Sequence, residues 1–189
     1  GKPIIDYIIE NTKNSNFEKI VVVNGYKKEV LEKYLNKETI SFYTNTNFDS
    51  SNMVTSLFCA ENELNDDIII SYSDIVYKKE ILDAIISSDA DISVVIDKKW
   101  KELWQLRMEN PLSDAETLKL DKDNNIIELG KKAKSYDEIQ GQYIGLIKIS
   151  KKYIAKVADF YHKLDKEAIY DGKNFDNMYM KLHTCIVNF

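Results

Sequence analysis

The stretch DDIIISYSDIVYKKE, residues 66–80, decides the fold. Its three consecutive isoleucines, Ile68 to Ile70, predict a strand with apolar neighbours on both faces, which is typical of a sheet covered by helices on both sides. Four positions later the chain carries a carboxylate, Asp74. Because ligands of open α/β sheets bind beyond the carboxyl ends of the strands, Asp74 is a candidate site residue.

Helical and extended patterns alternate outward from this stretch. Apolar residues at helical spacing predict helices over residues 3–13, 27–35, 52–64, 78–88 and 151–164. The predicted strands between them are KIVVVNGY, TISFYTN, DDIIIS, ADISVVID, a hairpin AETLKLDKDNNIIELG with an Asp/Asn-rich turn, and QGQYIGLIKIS. This order predicts an α/β fold, a Rossmann-like mixed and mostly parallel sheet flanked by helices.

The composition bounds the class of protein. With 189 residues, 44% of them hydrophobic, the chain suffices for one well-buried domain and is too short for two comfortable ones. Its 31 acidic and 26 basic residues argue against a nucleic-acid backbone as the main partner. No apolar run approaches the roughly 18 residues of a membrane span, and Cys59 and Cys185 lack CxxC spacing. We therefore expect a cytoplasmic protein with neither nucleic acid nor membrane as its partner.

Two interpretations of Asp74 remain open from spacing alone. A carboxylate held at the end of a rigid strand is well placed to bind Mg²⁺, which prefers oxygen ligands and keeps waters and substrate phosphates in its shell. Alternatively, Ser73 or Asp74 caps the helix that follows, because SDIVYKKEIL also fits a strand leading into a helix.

A family resemblance bears on this choice. The blocks GKPIIDYIIENTKNSNFEKIVVVNGYKKEVLEKYL, NTNFDSSNMVTSLFCA, IIISYSDIVY and VVIDKKW resemble those of the nucleoside-triphosphate transferases, and LGKKAKSYDEIQGQYIGLIKIS and IYDGKNFDNMYM extend the match. Within that family the chain most resembles the cytidylyltransferase branch of phosphocholine, phosphonate and capsular phosphoramidate biosynthesis, which includes glutamine-phosphate cytidylyltransferases.

The resemblance implies a reaction and its cofactor. It implies transfer of CMP from CTP, with Mg²⁺, to a phosphorylated or phosphonate small-molecule acceptor, releasing pyrophosphate, in capsule or cell-surface biosynthesis. It assigns Asp74 as the catalytic and metal-binding aspartate, and Lys131 as a point charge for the acceptor phosphate. Lys131 lies beside Lys132 and Lys134, so a solvated surface is the alternative.

The resemblance also implies two sets of binding residues. Asn24, Gly25, Tyr26, Asn52 and Ser56 would contact the nucleotide. The alternatives are a turn that merely needs Gly25 and a helix cap at Ser51 or Asn52.

On the acceptor side the resemblance implies Arg107, Glu116, Tyr143, Asp176 and Asn177. Arg107 could instead be a surface ion-pair partner, and Asp176 a helix cap. Gly145 is expected to let the ligand approach the backbone closely.

The sequence departs from the family pattern at both ends. It lacks the family's glycine-rich loop with its arginine and following lysine, and MKLHTCIVNF ends before the family's usual final strand. We therefore expect residues 1–189 to be a single nucleotidyltransferase domain without its first strand and phosphate loop, and to be weakly active or inactive when assayed alone.

Two other functions remain open. The same fold could use UTP or dTTP with a sugar 1-phosphate. The chain could also be a non-catalytic, nucleotide-binding fragment, for which the missing loop is the best support. The identity of the acceptor and the oligomeric state are not determined by the sequence.

Overall fold

Helices and strands alternate from the first residues onward. The computed structural model describes residues 1–36 and 39–164 and, at the level of the backbone, the strand at residues 185–187. The helices are α1 Ile4–Lys13, α2 Lys28–Leu35, α3 Met53–Cys59, α4 Lys79–Ile86, α5 Trp100–Gln105 and α6 Lys151–Lys163. The strands are β1 Ile20–Asn24, β2 Ile40–Thr44, β3 Ile68–Ser71, β4 Ile92–Asp97, β5 Glu116–Leu120, β6 Ile126–Lys132, β7 Gln142–Ile149 and β8 Cys185–Val187.

The strands form three hydrogen-bonded groups. β1 and β2 pair in parallel, and β5 and β6 form an antiparallel hairpin. The remaining four lie in the order β3-β7-β4-β8, with β7 antiparallel to both of its neighbours and β8 parallel to β4. The mixed α/β architecture is thus confirmed. Its pairing is less parallel than the alternation alone suggests, because β7 lies between β3 and β4.

The four-stranded sheet is covered on both faces. On one face Val95 and Leu146 pack with Leu82 and Ile85 of α4. On the other face the strand residues pack against the hairpin and α6, in a cluster of Ile92, Val94, Ile96, Leu118, Ile126, Leu129, Ile149 and Ile154. Successive strand residues point to opposite faces, which explains why β4 is buried along nearly its whole length.

The isoleucine run behaves as an edge strand rather than a central one. Ile68 and Ile70 contact the cluster on one face and Ile69 the cluster on the other, as predicted. All three are nevertheless only half-buried, because β3 has one partner strand, β7, within the described part of the chain.

Lys148 is an unusual residue at the centre of the sheet. Its side chain is buried, and its ammonium donates hydrogen bonds of 2.7 Å to the carbonyl oxygens of Ile86 and Ser88. These carbonyls lie at the C-terminal end of α4, where helix carbonyls lack partners within the helix and a positive charge is favourable. The contact fastens β7 to α4.

The two tryptophans of α5 pack into a third apolar cluster. Trp100 is buried with Ala115, Ala133 and Ile139, and Trp104 packs edge-on against it with ring centroids 5.3 Å apart. Over the residues described, the structure has no helix long and apolar enough to cross a membrane.

Candidate active site

A groove of about 1020 Å³ separates the β1–β2 pair from the four-stranded sheet. Its walls include side chains of β1, β3, α3 and α6, among them Val21, Val23, Ile68 and Ile70. Within the described ranges β1 pairs only with β2, and β3 only with β7. Two unpaired strand edges therefore flank the groove.

Both flanking strands begin at the same end of the groove. The ammonium of Lys19, just before β1, lies 2.6 Å from Oε1 of Glu63, five residues before β3, and the Tyr43 hydroxyl donates to the same carboxylate at 2.7 Å. The hydrogen bond from Lys19, with that from Tyr43, holds the pKa of Glu63 below its usual range. This contact aligns the starts of β1 and β3, so their carboxyl ends lie away from it.

Asp74 lies in the turn after the carboxyl end of β3, is exposed and lines the groove. The helix-cap interpretation is wrong, because α4 begins at Lys79 and its N-cap position is Lys78. In the described residues the Asp74 carboxylate makes neither a hydrogen bond nor an ion pair, so it is available to a ligand.

The donor set at this end of the groove suits a magnesium ion carried by a substrate. No cluster of three or more histidine, cysteine or acidic side chains occurs in the described part of the structure, so a site built wholly from such residues is not present there. Mg²⁺ is commonly held by one or two carboxylates and by substrate phosphates. A single unpartnered carboxylate such as Asp74 fits that requirement.

The residues expected to contact the nucleotide base make hydrogen bonds or packing contacts within the fold. The Asn24 side chain is buried, with Nδ2 donating to Oε1 of Glu32 at 2.8 Å and Oδ1 accepting from the Thr44 hydroxyl at 2.9 Å. A Cβ at Gly25 would lie 2.7 Å from Cβ of Phe48, so this turn requires glycine. Tyr26 is exposed, with its ring 6.1 Å from that of Phe48.

A second polar network lies at the start of α3. Oδ1 of Asn52 accepts from the backbone N–H groups of Val54 and Thr55, both at 3.0 Å, so Asn52 caps this helix. The Ser56 hydroxyl donates to the Asn52 carbonyl and accepts from Nδ2 of the buried Asn45 at 2.9 Å. Ser56 lines the same groove as Asp74. Asn45 was not predicted; its only signal is its place at the end of β2.

The structure brings together Tyr143 and Glu116, two of the residues expected to bind the acceptor. Burial raises the pKa of Tyr143 above its usual range, and the neighbouring Tyr72 and Glu116 raise it further. Nearby, Nε2 of Gln142 donates to the Glu116 carbonyl at 2.7 Å, which joins β7 to β5. The Tyr143 phenol therefore stays protonated and can donate a hydrogen bond.

Lys131 and Arg107 lie on the surface and do not line the groove. The Lys131 ammonium is 3.0 Å from Oε2 of Glu128, whose other oxygen is 2.9 Å from Lys119. Hydrogen bonds from these two lysines hold the pKa of Glu128 below its usual range. Arg107 follows α5 and is exposed. Asp176 and Asn177 lie outside the described residues.

Gly145 has a different role from the one expected. Its φ is +84°, and a Cβ there would lie 2.4 Å from Cγ of Tyr72. The space above Gly145 is therefore filled by the Tyr72 ring and not by a ligand. Sequence reasoning missed Tyr72, and no local pattern could have identified its partner 73 positions away.

The mixed α/β fold is shared with two solved structures of nucleotide-transferring proteins. The inositol-1-phosphate CTP transferase from T. maritima superimposes with a TM-score of 0.65 over 97% of this chain and 71% of its own, at 16% identity. A candidate glucose-1-phosphate thymidylyltransferase from Bacillus anthracis does so with a TM-score of 0.67 over 98% of this chain and 74% of its own, at 14% identity. Because both identities are low, these likenesses establish the mixed α/β fold alone.

The sequence then gives the family: the chain belongs to the MobA-like NTP transferase domain family, which it matches over residues 1–164. It is 48% identical over 187 residues to the CTP:phosphoglutamine cytidylyltransferase of Campylobacter jejuni subsp. jejuni serotype O:2, covering 95% of this chain and 74% of that protein. Nucleotidyltransferases of this family typically use a divalent metal ion. The resemblance described from the sequence is confirmed.

Proposed function

We propose that the protein transfers CMP from CTP to a small phosphorylated or phosphonate acceptor and releases pyrophosphate. Asp74 is the observation that carries this proposal, since its carboxylate has no partner among the described residues and stands in the groove at the carboxyl end of β3. The 48% identity to a CTP:phosphoglutamine cytidylyltransferase supports CTP as the nucleotide and a phosphorylated amino-acid derivative as the acceptor. A role in capsule or cell-surface biosynthesis, in the cytoplasm, is part of the proposal.

Asp74 is proposed to hold Mg²⁺ together with the triphosphate of CTP. When bound, the ion neutralises charge on the phosphates and favours in-line displacement. The protein's task is then mainly to position the two substrates. Asn52 and Ser56 are proposed to orient the nucleotide. Ser56 lines the groove; Oδ1 of Asn52 is used in capping α3, while its Nδ2 makes no hydrogen bond within the described ranges. Asn24, Gly25 and Tyr26 are proposed to shape the turn that faces the base.

The acceptor is proposed to lie on the side of β7. The Glu116 carboxylate and the protonated Tyr143 phenol would contact its polar groups, and Lys131 and Arg107 its phosphate or carboxylate. Breaking the ion pair between Lys131 and Glu128 costs little free energy, because an exposed ion pair contributes about 0–1 kcal/mol. Asp176 and Asn177 complete this proposed set.

We further propose that residues 1–189 form one nucleotidyltransferase domain that lacks one strand and a phosphate-binding loop. The groove supports this, because the edges of β1 and β3 that are unpaired within the described residues flank a space lined by Val21, Val23, Ile68 and Ile70. A strand added there would pair with both edges, and a loop at its carboxyl end would reach the neighbourhood of Asp74. Unpaired edges of this kind are unfavourable in water and promote association.

Pyrophosphate release tests the proposed function. The full-length protein is assayed with Mg²⁺ and each of CTP, UTP, ATP and dTTP, against phosphocholine, an aminoalkyl phosphonate and glutamine phosphate as acceptors. We expect release with CTP and one acceptor, and loss of release when EDTA removes the metal.

The other functions give different results in the same assay. Release with UTP or dTTP and a sugar 1-phosphate would identify a sugar nucleotidyltransferase; the fold is compatible with that outcome, since a candidate thymidylyltransferase shares it. Nucleotide binding without release for any acceptor would identify a non-catalytic nucleotide-binding protein.

A further inference from the structure

Tyr72 connects β3 to the turn that carries Asp74. Its backbone N–H donates to the carbonyl oxygen of Gly145 at 2.9 Å, which extends the β3–β7 ladder one residue beyond the end of β3. The ring of Tyr72 lies over Gly145, whose missing Cβ would otherwise stand 2.4 Å from Cγ and Cδ2 of the ring. The position of Tyr72 is thus fixed by both its backbone and its side chain.

The Tyr72 ring also reaches the proposed acceptor side. It packs edge-on against Tyr143, with ring centroids 6.5 Å apart and ring planes at 85°. Tyr143 lies two residues before Gly145 on β7, and Glu116 is close enough to act on the charge state of its phenol. The Tyr72 ring therefore contacts β7, the strand that carries Tyr143 of the proposed acceptor set.

The Asp74 carboxylate depends on the backbone for its position. In the part of the chain that the structure describes, no side chain or N–H group bonds to it. The turn is instead held at its two ends. Tyr72 fixes the start, and the end is fixed by the buried Tyr77, whose carbonyl oxygen accepts from Nδ2 of Asn11 at 2.8 Å. Displacing Tyr72 would release one end of the turn.

We propose that Tyr72 is a positioning residue, which sets the place of the Asp74 carboxylate relative to Tyr143 and Glu116 through the packing of its ring on Gly145. This inference rests on the proposed function, because it presumes that Asp74 holds the metal ion. The atoms of Tyr72 that face Gly145 are ring carbons, so the proposed positioning acts through the ring. Gly145 is part of the same arrangement, because only a residue without Cβ leaves room for the Tyr72 ring.

Binding of Mn²⁺ tests the proposal without any catalytic step. The apparent Kd for Mn²⁺ is measured by water-proton relaxation on the full-length protein with CTP in fixed excess. We expect Tyr72→Ala to weaken Mn²⁺ binding by about tenfold or more, as loss of a residue that orients a metal ligand commonly does. Tyr72→Phe keeps the ring and should stay within about threefold of the unaltered protein. Gly145→Ala should resemble Tyr72→Ala, because the added Cβ displaces the ring.

Two further variants make the outcomes separable. Tyr153→Ala removes a half-buried tyrosine of α6 that packs against the core, so it controls for general loss of stability and should leave the Mn²⁺ affinity unchanged. Asp74→Asn tests the proposed function itself, and an unchanged affinity there would overturn the metal site. If Asp74→Asn weakens binding while Tyr72→Ala does not, or if Tyr153→Ala weakens it equally, the positioning role of Tyr72 is overturned and the metal site stands.

Discussion

The β1–β2 pair and the β3 wall of the groove use their polar side chains differently. At the β1–β2 pair and the helix α3 beside it, three asparagines are engaged in hydrogen bonds within the fold. Asn24 bonds to Glu32 and Thr44, Asn45 bonds to Ser56, and Asn52 bonds to the start of α3. On the β3 wall, Asp74 has no such partner in the described residues. A polar residue at the end of a strand can thus serve the fold or a ligand, and its hydrogen-bond partners distinguish the two uses.

The largest effect is expected where the side chain has no structural partner. Asp74→Asn should abolish turnover in the full-length protein, a fall in kcat of at least about 10³-fold, because the neutral amide cannot hold the cation that offsets the phosphate charge. The midpoint of thermal unfolding should stay within about 2 °C of the unaltered protein, because no contact within the fold is lost.

Asp66→Asn is the matched control for that change. Asp66 is also exposed and lines the groove, but at the start of β3, where it lies 3.6 Å from Lys151. Turnover should be unaffected in this variant. Near-normal activity of Asp74→Asn would show that Asp74 does not serve a ligand, and the contrast with the asparagines of the β1–β2 pair would then no longer hold.

The second prediction concerns the β1–β2 pair. Asn24→Ala should lower the free energy of unfolding by about 1–3 kcal/mol, because Glu32 and Thr44 lose a buried partner. Urea denaturation measures this loss. Asn47→Ala, at an exposed position on the same side, should change stability by less than about 0.5 kcal/mol. A raised KM for CTP in Asn24→Ala with unaltered stability would show that Asn24 serves the nucleotide instead.

Asn52 allows both uses to be measured in one residue. Asn52→Ala should destabilise the protein by about 1 kcal/mol, because the cap of α3 is lost. Asn52→Asp keeps the capping oxygen and should retain stability, but it removes the amide donor and places a negative charge beside the proposed site of the anionic nucleotide. We expect its KM for CTP to rise about tenfold, equivalent to about 1.4 kcal/mol. An unchanged KM would show that Asn52 only caps α3 and does not contact the nucleotide.

The smallest effect is expected at alkaline pH. Tyr143 has a raised pKa in the folded protein, chiefly through burial. Its stabilising contribution is fully present below pH 10, the ordinary value, and is lost as pH rises above it, because the unfolded chain releases that proton first. Tyr143→Phe should therefore lose less stability between pH 9 and 11 in urea denaturation, by at most about 1.4 kcal/mol per pH unit.

Tyr77 provides an independent check on that pH dependence. Burial also raises its pKa, so Tyr77→Phe should reduce the alkaline loss in the same direction, and the double variant should reduce it further. Equal alkaline loss in the unaltered protein and in all three variants would mean that neither phenol is protected by the fold.

The features of the fold that could be predicted are local ones. The isoleucine run, the helical stripes and the Asp/Asn-rich hairpin turn each have a period or a turn composition that is visible within about ten residues. The place of β7 between β3 and β4 has no such signal, because it depends on which long-range packing is best. The half-burial of Ile68 to Ile70 follows from that same arrangement.

In the candidate site, too, the local features could be predicted and the long-range contacts could not. Asp74 could be predicted because the end of an apolar strand is a position with physical meaning. The partners of Asn24, Glu32 and Thr44, could not, because they are 8 and 20 residues away and belong to different elements. The contact of Tyr72 with Gly145 spans still more of the chain, and a glycine in a strand suggests close approach without indicating what approaches.

The buried ammonium of Lys148 offers a way to follow local opening of this protein. Reagents that acylate amines attack surface lysines readily, whereas this nitrogen is occupied by two helix carbonyls and shielded from solvent. Its rate of labelling, measured by mass spectrometry relative to the other lysines, would report how often α4 separates from the sheet. Comparing that rate with and without a bound nucleotide would show how far the nucleotide suppresses this local opening.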